Sequence, residues 1–193
     1  MKNQWINSTG KLTIILILFA MTGCMQLSEK ETDKSAGING GFEVTKNNLP
    51  VNWLMYTPNT VPDSDFKIAF DKNIFKEGSQ SLRFDVKSCS STGGRLSPGF
   101  TNEFFDSGKF EGKGTYIVGF WVKNNGTKFR VAAGGVSPHK GDMKVLIESD
   151  EEIEDWKYLE YEINVPEERH LRMELNILKP GTFWIDAIQI IKA

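Results

Sequence analysis

The sequence predicts an all-β protein in which two antiparallel sheets pack face to face. Three observations support this fold class. Short runs of alternating apolar and polar residues recur toward the C-terminus, turn-forming Gly, Asn and Pro separate them, and no stretch sustains the i, i+3, i+4, i+7 spacing of a long amphipathic helix. With 193 residues, of which 11% are aromatic and 18 are glycine, the chain is long enough for one domain with a substantial core.

The first 23 residues are typical of an export signal. Lys2 and Lys11 precede the apolar run at 12–21, and small residues follow it. The run is shorter than the roughly 20 apolar residues that a transmembrane helix needs. The tetrad MTGC, which ends at Cys24, resembles the lipobox of bacterial lipoproteins, in which the cysteine is lipidated and becomes the new N-terminus. The alternative is an ordinary secretory signal with an incidental cysteine.

These features predict a lipid-anchored protein of the bacterial cell envelope, at the outer membrane or the cell surface. Acyl chains on Cys24 would hold it to a membrane at about 0.8 kcal/mol per buried CH₂. Residues 24–37 are polar and charged, which predicts a flexible tether, and the folded domain is predicted to span 38–193. Cleavage before Cys24 removes two lysines and no acid, so the formal net charge goes from −2 to −4. Positive and negative charges are interspersed, which argues against a nucleic-acid partner.

Several stretches of the domain are predicted strands. They are 81–86, 116–122, 128–133, 143–147, 158–165, 171–177 and the apolar run that ends at Ile190. The last two meet at Lys179-Pro180-Gly181, a turn signal, so we expect them to form a hairpin. The acidic run 149–155 is expected to be an exposed loop. Within 171–177, alternation places four apolar residues toward a core and leaves Arg172, Glu174 and Asn176 facing water or a ligand.

Five short motifs occur in a distinctive order. They are NGGFE at 39–43, PVNW at 50–53, EGSQSL at 77–82, GTYIVGFWVK at 114–123 and GTFWID at 181–186. Together they resemble the carbohydrate-binding modules of families 4, 9 and 22, which share a galactose-binding-like β-jelly roll. The resemblance covers roughly 38–193 and implies a jelly-roll domain that binds sugars. It supports the fold more strongly than the function, since this fold hosts many binding roles.

The resemblance also implies a structural calcium ion that ties the first strand, an early loop and the last strand together. Its ligands would be Glu43, Asp186 and a backbone carbonyl from the turn at Gly78. Calcium prefers six to eight oxygen ligands of these kinds, and such a site would explain a carboxylate inside the apolar last strand. The alternative is that Asp186 accepts hydrogen bonds from backbone or from a lysine. Zinc is disfavoured, because the chain has two histidines and Cys89 would be the only thiol besides the lipidated Cys24.

A sugar site pairs aromatic platforms with forked polar side chains, because sugars present flat apolar faces ringed by hydroxyls. The outward residues Arg172, Glu174 and Asn176 are of the polar type. Arg130, together with Lys128, is predicted to face outward on a neighbouring strand. The alternative is that Lys128 and Arg130 form simple cross-strand pairs with Glu174.

The aromatic candidates are Trp53, Tyr56 and Trp121. Trp53 and Tyr56 lie in a stretch that reads as a loop between two prolines, and Trp121 points opposite to Phe120 on its strand. Each could serve as a platform for a sugar ring. The alternative is that each one caps an edge of the sandwich.

The sequence contains no sign of a catalytic centre. A glycosidase needs two facing carboxylates, and nothing marks such a pair; His139 and His170 lie near no G-x-S-x-G motif. We therefore predict a non-catalytic carbohydrate-binding lipoprotein that holds a glycan at the envelope for partner enzymes or transporters. The alternative is a structural or adhesive module that binds an envelope protein through the same fold.

Overall fold

A computed structural model describes residues 33–102, 113–137, 140–166 and 169–193. The predicted signal peptide, Cys24 and His139 lie outside these residues. The described part contains twelve strands, numbered β1 to β12 along the chain, which form two five-stranded antiparallel sheets and a two-stranded ribbon. The predicted two-sheet β-sandwich is confirmed. Within these ranges no helix is both long enough and apolar enough to cross a membrane.

Each sheet draws its strands from both halves of the described chain. Sheet I contains β4 (Asp65–Asp71), β5 (Ser81–Ser88), β7 (Gly114–Asn125), β10 (Ile153–Val165) and β12 (Gly181–Lys192) in the spatial order β10-β7-β12-β5-β4. Sheet II contains β3 (Trp53–Tyr56), β6 (Gly99–Asn102), β8 (Phe129–Ser137), β9 (Lys140–Ser149) and β11 (His170–Ile177) in the order β3-β6-β11-β8-β9. The ribbon pairs β1 (Thr45–Lys46) with β2 (Leu49–Pro50). The acidic run is a loop only as far as the residue before Ile153, where β10 begins.

The predicted hairpin of the last two strands is wrong, because β11 and β12 belong to different sheets. β11 lies between β6 and β8, and β12 lies between β5 and β7. The turn at 178–180 therefore carries the chain from one layer to the other. Both strands are central in their sheets and bury an apolar face. Each strand pairs with a neighbour on both of its edges, so neither has an edge left to pair with the other. Phe129 of β8 and Phe183 of β12 meet across the interior with ring centroids 4.8 Å apart.

The core lies between the sheets and consists of alternate residues of the central strands. On β11 the inward residues are the predicted apolar ones, all at most 1% exposed: Leu171, Met173, Leu175 and Ile177. The inward residues of β7 are fully buried in the same way: Tyr116, Val118, Phe120 and Val122. Burial of a large apolar side chain contributes about 1.5–3 kcal/mol relative to leaving it exposed, so these two strands anchor their sheets.

Trp53 and Tyr56 lie on β3, an edge strand of sheet II, and not in the loop that the flanking prolines suggested. Trp53 is fully buried. Its ring packs against Phe42 and Phe100 at centroid distances of 5.8 and 4.9 Å, and its Nε1 donates to the Asn39 carbonyl at 3.1 Å. Trp53 is therefore a core side chain that presents no ring face to a ligand.

The described fold begins five residues before the predicted domain start. Residues Lys34–Ala36 form a short 3-10 turn. The Asn52 amide donates to the carbonyls of Asp33 (2.7 Å) and Gly37 (2.9 Å), and its oxygen accepts from the Asp33 N–H (3.0 Å). Asn52 thus docks the last part of the predicted tether onto the domain.

Candidate functional site

The outer face of sheet II, turned away from the core, collects most of the predicted ligand-binding residues. Directly opposed residues of antiparallel strands share a face. One row across the sheet contains Leu54, Thr101, Glu174, Ala132 and Val145. The next contains Tyr56, Gly99, Asn176, Arg130 and Glu148, and a third contains Arg172, Gly134 and Met143. These three rows are called the sheet II face, and they bring five predicted residues together: Tyr56, Arg130, Arg172, Glu174 and Asn176.

The middle of the sheet II face has a floor of small residues. Ala132 and Gly134 are the outward positions of β8 between the longer side chains of β11 and β9. A Cβ at Gly134 would overlap the backbone of Asp142, so only glycine fits there. Val145 on the β9 side is 56% exposed. The face is therefore a trough with polar side chains on one wall and apolar ones on the other.

The connection from β5 to β6 covers one end of the trough, and Asn176 fastens it. The Gly94 N–H donates to Asn176 Oδ1 at 2.9 Å, and Asn176 Nδ2 donates to the Gly94 carbonyl at 3.0 Å. Arg130 Nη2 donates to the Thr92 carbonyl (3.2 Å) and to Asn176 Oδ1 (3.3 Å), and it lies where a Cβ of Gly93 would be. Asn176 is only 2% exposed. Its amide positions the loop and does not face a ligand directly.

Lys128, directly before β8, and Arg130 of β8 pair with Glu148 of β9, so the proposed pairing of Lys128 and Arg130 with Glu174 is wrong. Lys128 Nζ lies 2.5 Å from Glu148 Oε1, and Arg130 Nη1 lies 3.8 Å from Oε2. The hydrogen bond from Lys128 lowers the pKa of Glu148. The reason is register, because Glu148 lies directly opposite Arg130 whereas Glu174 lies opposite Ala132.

Tyr56 lies buried at the edge of the trough, surrounded by charge. Burial raises the pKa of its hydroxyl, and the negative charge of Glu174 raises it further, while Arg172 and Arg95 oppose the rise. Arg95 lies near enough to Tyr56 to lower the pKa of its hydroxyl, and Arg172 Nε donates to Thr101 Oγ1 at 3.1 Å. Two guanidinium groups and one carboxylate therefore converge on a neutral phenol. Tyr56 is 2% exposed, so it lies beneath these charged side chains.

Sequence reasoning missed Arg95, which follows Gly93 and Gly94 in a segment that reads only as a turn. Its side chain also lines a cavity of about 150 Å³ next to the trough. The other lining residues are Thr60, Val61, Pro62, Asp63, Ser90 and Leu96. A Gly-Gly-Arg turn between two strands is a weak signal, because what brings Arg95 to the face is a contact with Asn176, 82 residues away from Gly94 in sequence.

Trp121 faces away from the core, as predicted, but on the outer face of sheet I. It is therefore on the opposite side of the sandwich from Arg172 and Glu174. Lys76 Nζ lies 3.9 Å from the centroid of its ring, and the Tyr158 ring packs beside it at 5.2 Å. The predicted ligand-binding residues thus do not form one site, and those on sheet II form the larger cluster.

Glu43 and Asp186, the predicted calcium ligands, converge on the loop at 76–80. Asp186 Oδ2 accepts from the N–H groups of Lys76 (2.7 Å) and Glu77 (3.0 Å), and Oδ1 accepts from Ala187 N–H (2.7 Å). Burial raises the pKa of Asp186 against these three bonds, and the charge of Glu43 adds to the rise.

Glu43 is held in the same way. Its Oε1 accepts from the N–H groups of Ser79 (2.9 Å) and Gln80 (3.3 Å), and its Oε2 accepts from Ser79 Oγ (2.6 Å). Gly78, with φ +70°, lets the Glu43 carboxylate approach the loop. Donors of the protein therefore hold both carboxylates and fasten the loop without a metal ion, while the oxygens keep acceptor sites that a cation could use. Calcium binding stays a prediction.

No protein-family model matches the sequence, and no curated protein matches it. Among solved structures, the chain is similar to the CBM22-1 xylan-binding domain of Xyn10C from Paenibacillus barcinonensis, with 12% identity, 79% of this chain and 91% of that domain covered, and a TM-score of 0.57. It is also similar to the C-terminal family 22 carbohydrate-binding module of Clostridium thermocellum Xyn10B, with 15% identity, coverage of 84% and 97%, and a TM-score of 0.55.

A third similar structure is the enzymatically active domain of tailspike protein 4 from bacteriophage CBA120. The identity is 15%, the TM-score is 0.55, and the match covers 80% of this chain but only 21% of that one. At these identities the comparisons show a shared fold. The resemblance to family 22 modules that the sequence motifs suggested is confirmed at that level.

Proposed function

We propose that this chain is a non-catalytic carbohydrate-binding lipoprotein of the bacterial envelope, and that a glycan binds along the trough of the sheet II face. The observation that carries the proposal is the convergence of Arg95, Arg172 and Glu174 beside a floor of small residues at Ala132 and Gly134. The shared fold with xylan-binding modules makes a β-1,4-linked xylan the first ligand to test.

The chemistry of the trough suits a sugar. Charged forks such as Arg172 and Glu174 give directional hydrogen bonds to hydroxyl groups. Met143 and Val145 on the opposite wall offer apolar contact to the carbon face of a ring. The small side chain at Ala132 leaves room for the ring between these walls.

The anchor rests on the sequence. Lipidation at Cys24 would leave nine residues before the docked segment at Asp33, which span at most about 30 Å when extended. Such a tether holds the domain near a membrane surface, where it can present a glycan to partner enzymes or transporters. Incorporation of a labelled fatty acid into the wild-type chain, and its loss in Cys24→Ser, would test this part.

The binding test uses the mature chain from residue 25 in affinity gels that contain xylan or other plant, algal and bacterial polysaccharides. We expect retarded migration on at least one β-linked polymer, and reduced retardation for Arg172→Ala. Reducing ends measured in the same mixtures should not increase. Unretarded migration on every polymer would overturn the proposal, and release of reducing ends would make the chain an enzyme.

The exposed apolar residues beside the trough favour a second candidate function, an adhesive module that binds an envelope protein. Leu96 is 58% exposed and Val145 is 56% exposed. A protein partner would bury both. Specific crosslinking of one envelope protein to this face, abolished by Leu96→Asp and accompanied by no glycan binding, would select this function over the first.

A further inference from the structure

We infer that the trough of the sheet II face selects a polysaccharide that carries carboxylate groups, that is, one containing uronic acid residues. The inference rests on the proposed glycan-binding function and names the chemical class of its ligand. It is drawn from the sign and the placement of the charges on this face, which differ from those of the chain as a whole.

The sheet II face is cationic although the chain is acidic. Among the described residues, the charged side chains of this face and of the loop fastened to it are Arg95, Arg130, Arg172, Glu148 and Glu174. Lys128, directly before β8, is counted with them because it pairs with Glu148 on this face. Four are positive and two are negative, whereas the formal net charge of the whole sequence is −2. Asp63, which lines the cavity beside Arg95, reduces the excess but leaves it positive.

The excess of positive charge lies at one end of the trough. Glu148 pairs with both Lys128 and Arg130, which largely neutralises the β8 side. Arg95 and Arg172 both act on Tyr56, where Glu174 is the one carboxylate that opposes their charge. The surplus positive charge is therefore placed where the polar wall of the trough meets the cavity beside Arg95.

A guanidinium group suits a carboxylate better than it suits a hydroxyl. Its planar fork matches two carboxylate oxygens at once, and charge-assisted hydrogen bonds of this kind are roughly twice as strong as neutral ones. The Arg172–Thr101 bond holds that side chain through Nε, one of five N–H donors in the group. Tyr56 stays neutral, so it adds no negative charge that would repel the ligand.

The test compares one polymer with and without its charge. Glucuronoxylan and the same sample after chemical reduction of its carboxyl groups are titrated into the mature chain at about 0.02 M and about 0.5 M NaCl. We expect roughly tenfold tighter binding of the native polymer at low salt, and a much smaller difference at high salt because the charges are then screened.

Charge-removing variants locate the effect. Arg172→Gln and Arg95→Gln should each shrink the difference between the two polymers, and Arg95→Gln changes an exposed side chain. Lys67→Gln, on the outer face of β4 in sheet I, removes the same charge elsewhere and should leave the difference unchanged. Equal affinity for both polymers would overturn the carboxylate preference and leave the proposed function standing. Absence of binding to either polymer by a chain that is retarded by another, neutral polymer would overturn the carboxylate preference alone; absence of binding to every polymer would overturn both.

Discussion

Asn176 and Gly94 exchange two hydrogen bonds as if they were facing residues of adjacent strands. The side-chain amide of Asn176 accepts from the Gly94 N–H at 2.9 Å and donates to the Gly94 carbonyl at 3.0 Å. A sheet residue thereby fixes a loop that lies over its own face. Since Arg95 follows Gly94 directly, the position of one proposed ligand-binding side chain depends on this pair.

Removal of the amide should release the loop. In Asn176→Ala the two polar groups of Gly94 lose their partner in a largely buried site, which costs about 1–3 kcal/mol. We expect a lower free energy of unfolding in urea and weaker glycan binding, because Arg95 is no longer held. Asn164→Ala, an exposed change on β10, is the control. Unchanged stability and affinity in Asn176→Ala would contradict the role given to the pair.

Gly93 should tolerate no side chain, for two separable reasons. Its φ is +83°, and a Cβ there would overlap Arg130 Nη2. Gly37 has φ +59° with nothing within 4 Å of its Cβ position, so Gly37→Ala measures the backbone cost alone, about 1 kcal/mol. We expect Gly93→Ala to lose more stability than Gly37→Ala, and to lose glycan affinity as well. Equal losses in the two variants would show that Arg130 moves aside freely.

The alternation of apolar and polar residues was enough to predict the fold class and the orientation of β11. Leu171 faces the core and Arg172 faces out because side chains of a strand alternate, and this rule is local. The choice of partner strand is not local. Lys179-Pro180-Gly181 suits a hairpin and also suits a crossing between layers, so the sequence could not decide which sheet β12 joins.

The candidate site was predictable only where a strand carries it. Arg172 and Glu174 follow from the alternation, but Arg95 is brought to the face by a loop that Asn176 fastens over 82 residues of sequence. The flanking prolines predict a loop at Trp53, yet its ring packs against Phe42 and Phe100, contacts that no short window of sequence contains.

Acid should weaken the fold through Asp71. Burial alone would raise the pKa of this carboxylate, but hydrogen bonds from Trp184 Nε1, from two backbone N–H groups and from Arg83 outweigh it and leave the pKa lowered. The unfolded chain therefore takes up the proton first as the pH falls below about 4. Stability present above that pH is lost as the pH falls through the folded pKa.

Asp71→Asn should accordingly be less stable than the wild type at neutral pH and should lack this part of the acid dependence. Urea unfolding at pH values from about 6 down to about 2.5 measures both. Asp155→Asn, an exposed acid on β10, should keep the wild-type slope. If the free energy of unfolding falls equally steeply with decreasing pH in the wild type and in Asp71→Asn, the role given to Asp71 is wrong.

Glu43 and Asp186 should fasten the 76–80 loop even without a metal, because backbone N–H groups already occupy their oxygens. We expect Asp186→Asn, at a fully buried position, to lose about 1.5–3 kcal/mol, the usual range for hydrogen bonds to a charged group. Glu43→Gln, nearer the surface, should lose less. Melting temperatures are measured in a chelator and then with calcium. A rise with calcium that is present in the wild type and absent in both variants would show that calcium binds at these two carboxylates, as the family resemblance implies.

The two outer faces of the sandwich can be told apart by one pair of substitutions. Trp121 lies on sheet I, where Lys76 covers its ring at 3.9 Å and Tyr158 packs beside it; Arg172 lies on the sheet II face. We expect Arg172→Ala to weaken glycan binding about tenfold or more while the fold persists, because its guanidinium is one of the proposed ligand-binding groups. Trp121→Ala should lower the free energy of unfolding through lost packing. Its dissociation constant for the glycan, measured on folded protein by titration calorimetry, should stay within about twofold of the wild-type value. The reverse pattern, a large loss of affinity in Trp121→Ala alone, would move the binding site to sheet I, since Trp121 lies on the opposite outer face of the sandwich from Arg172.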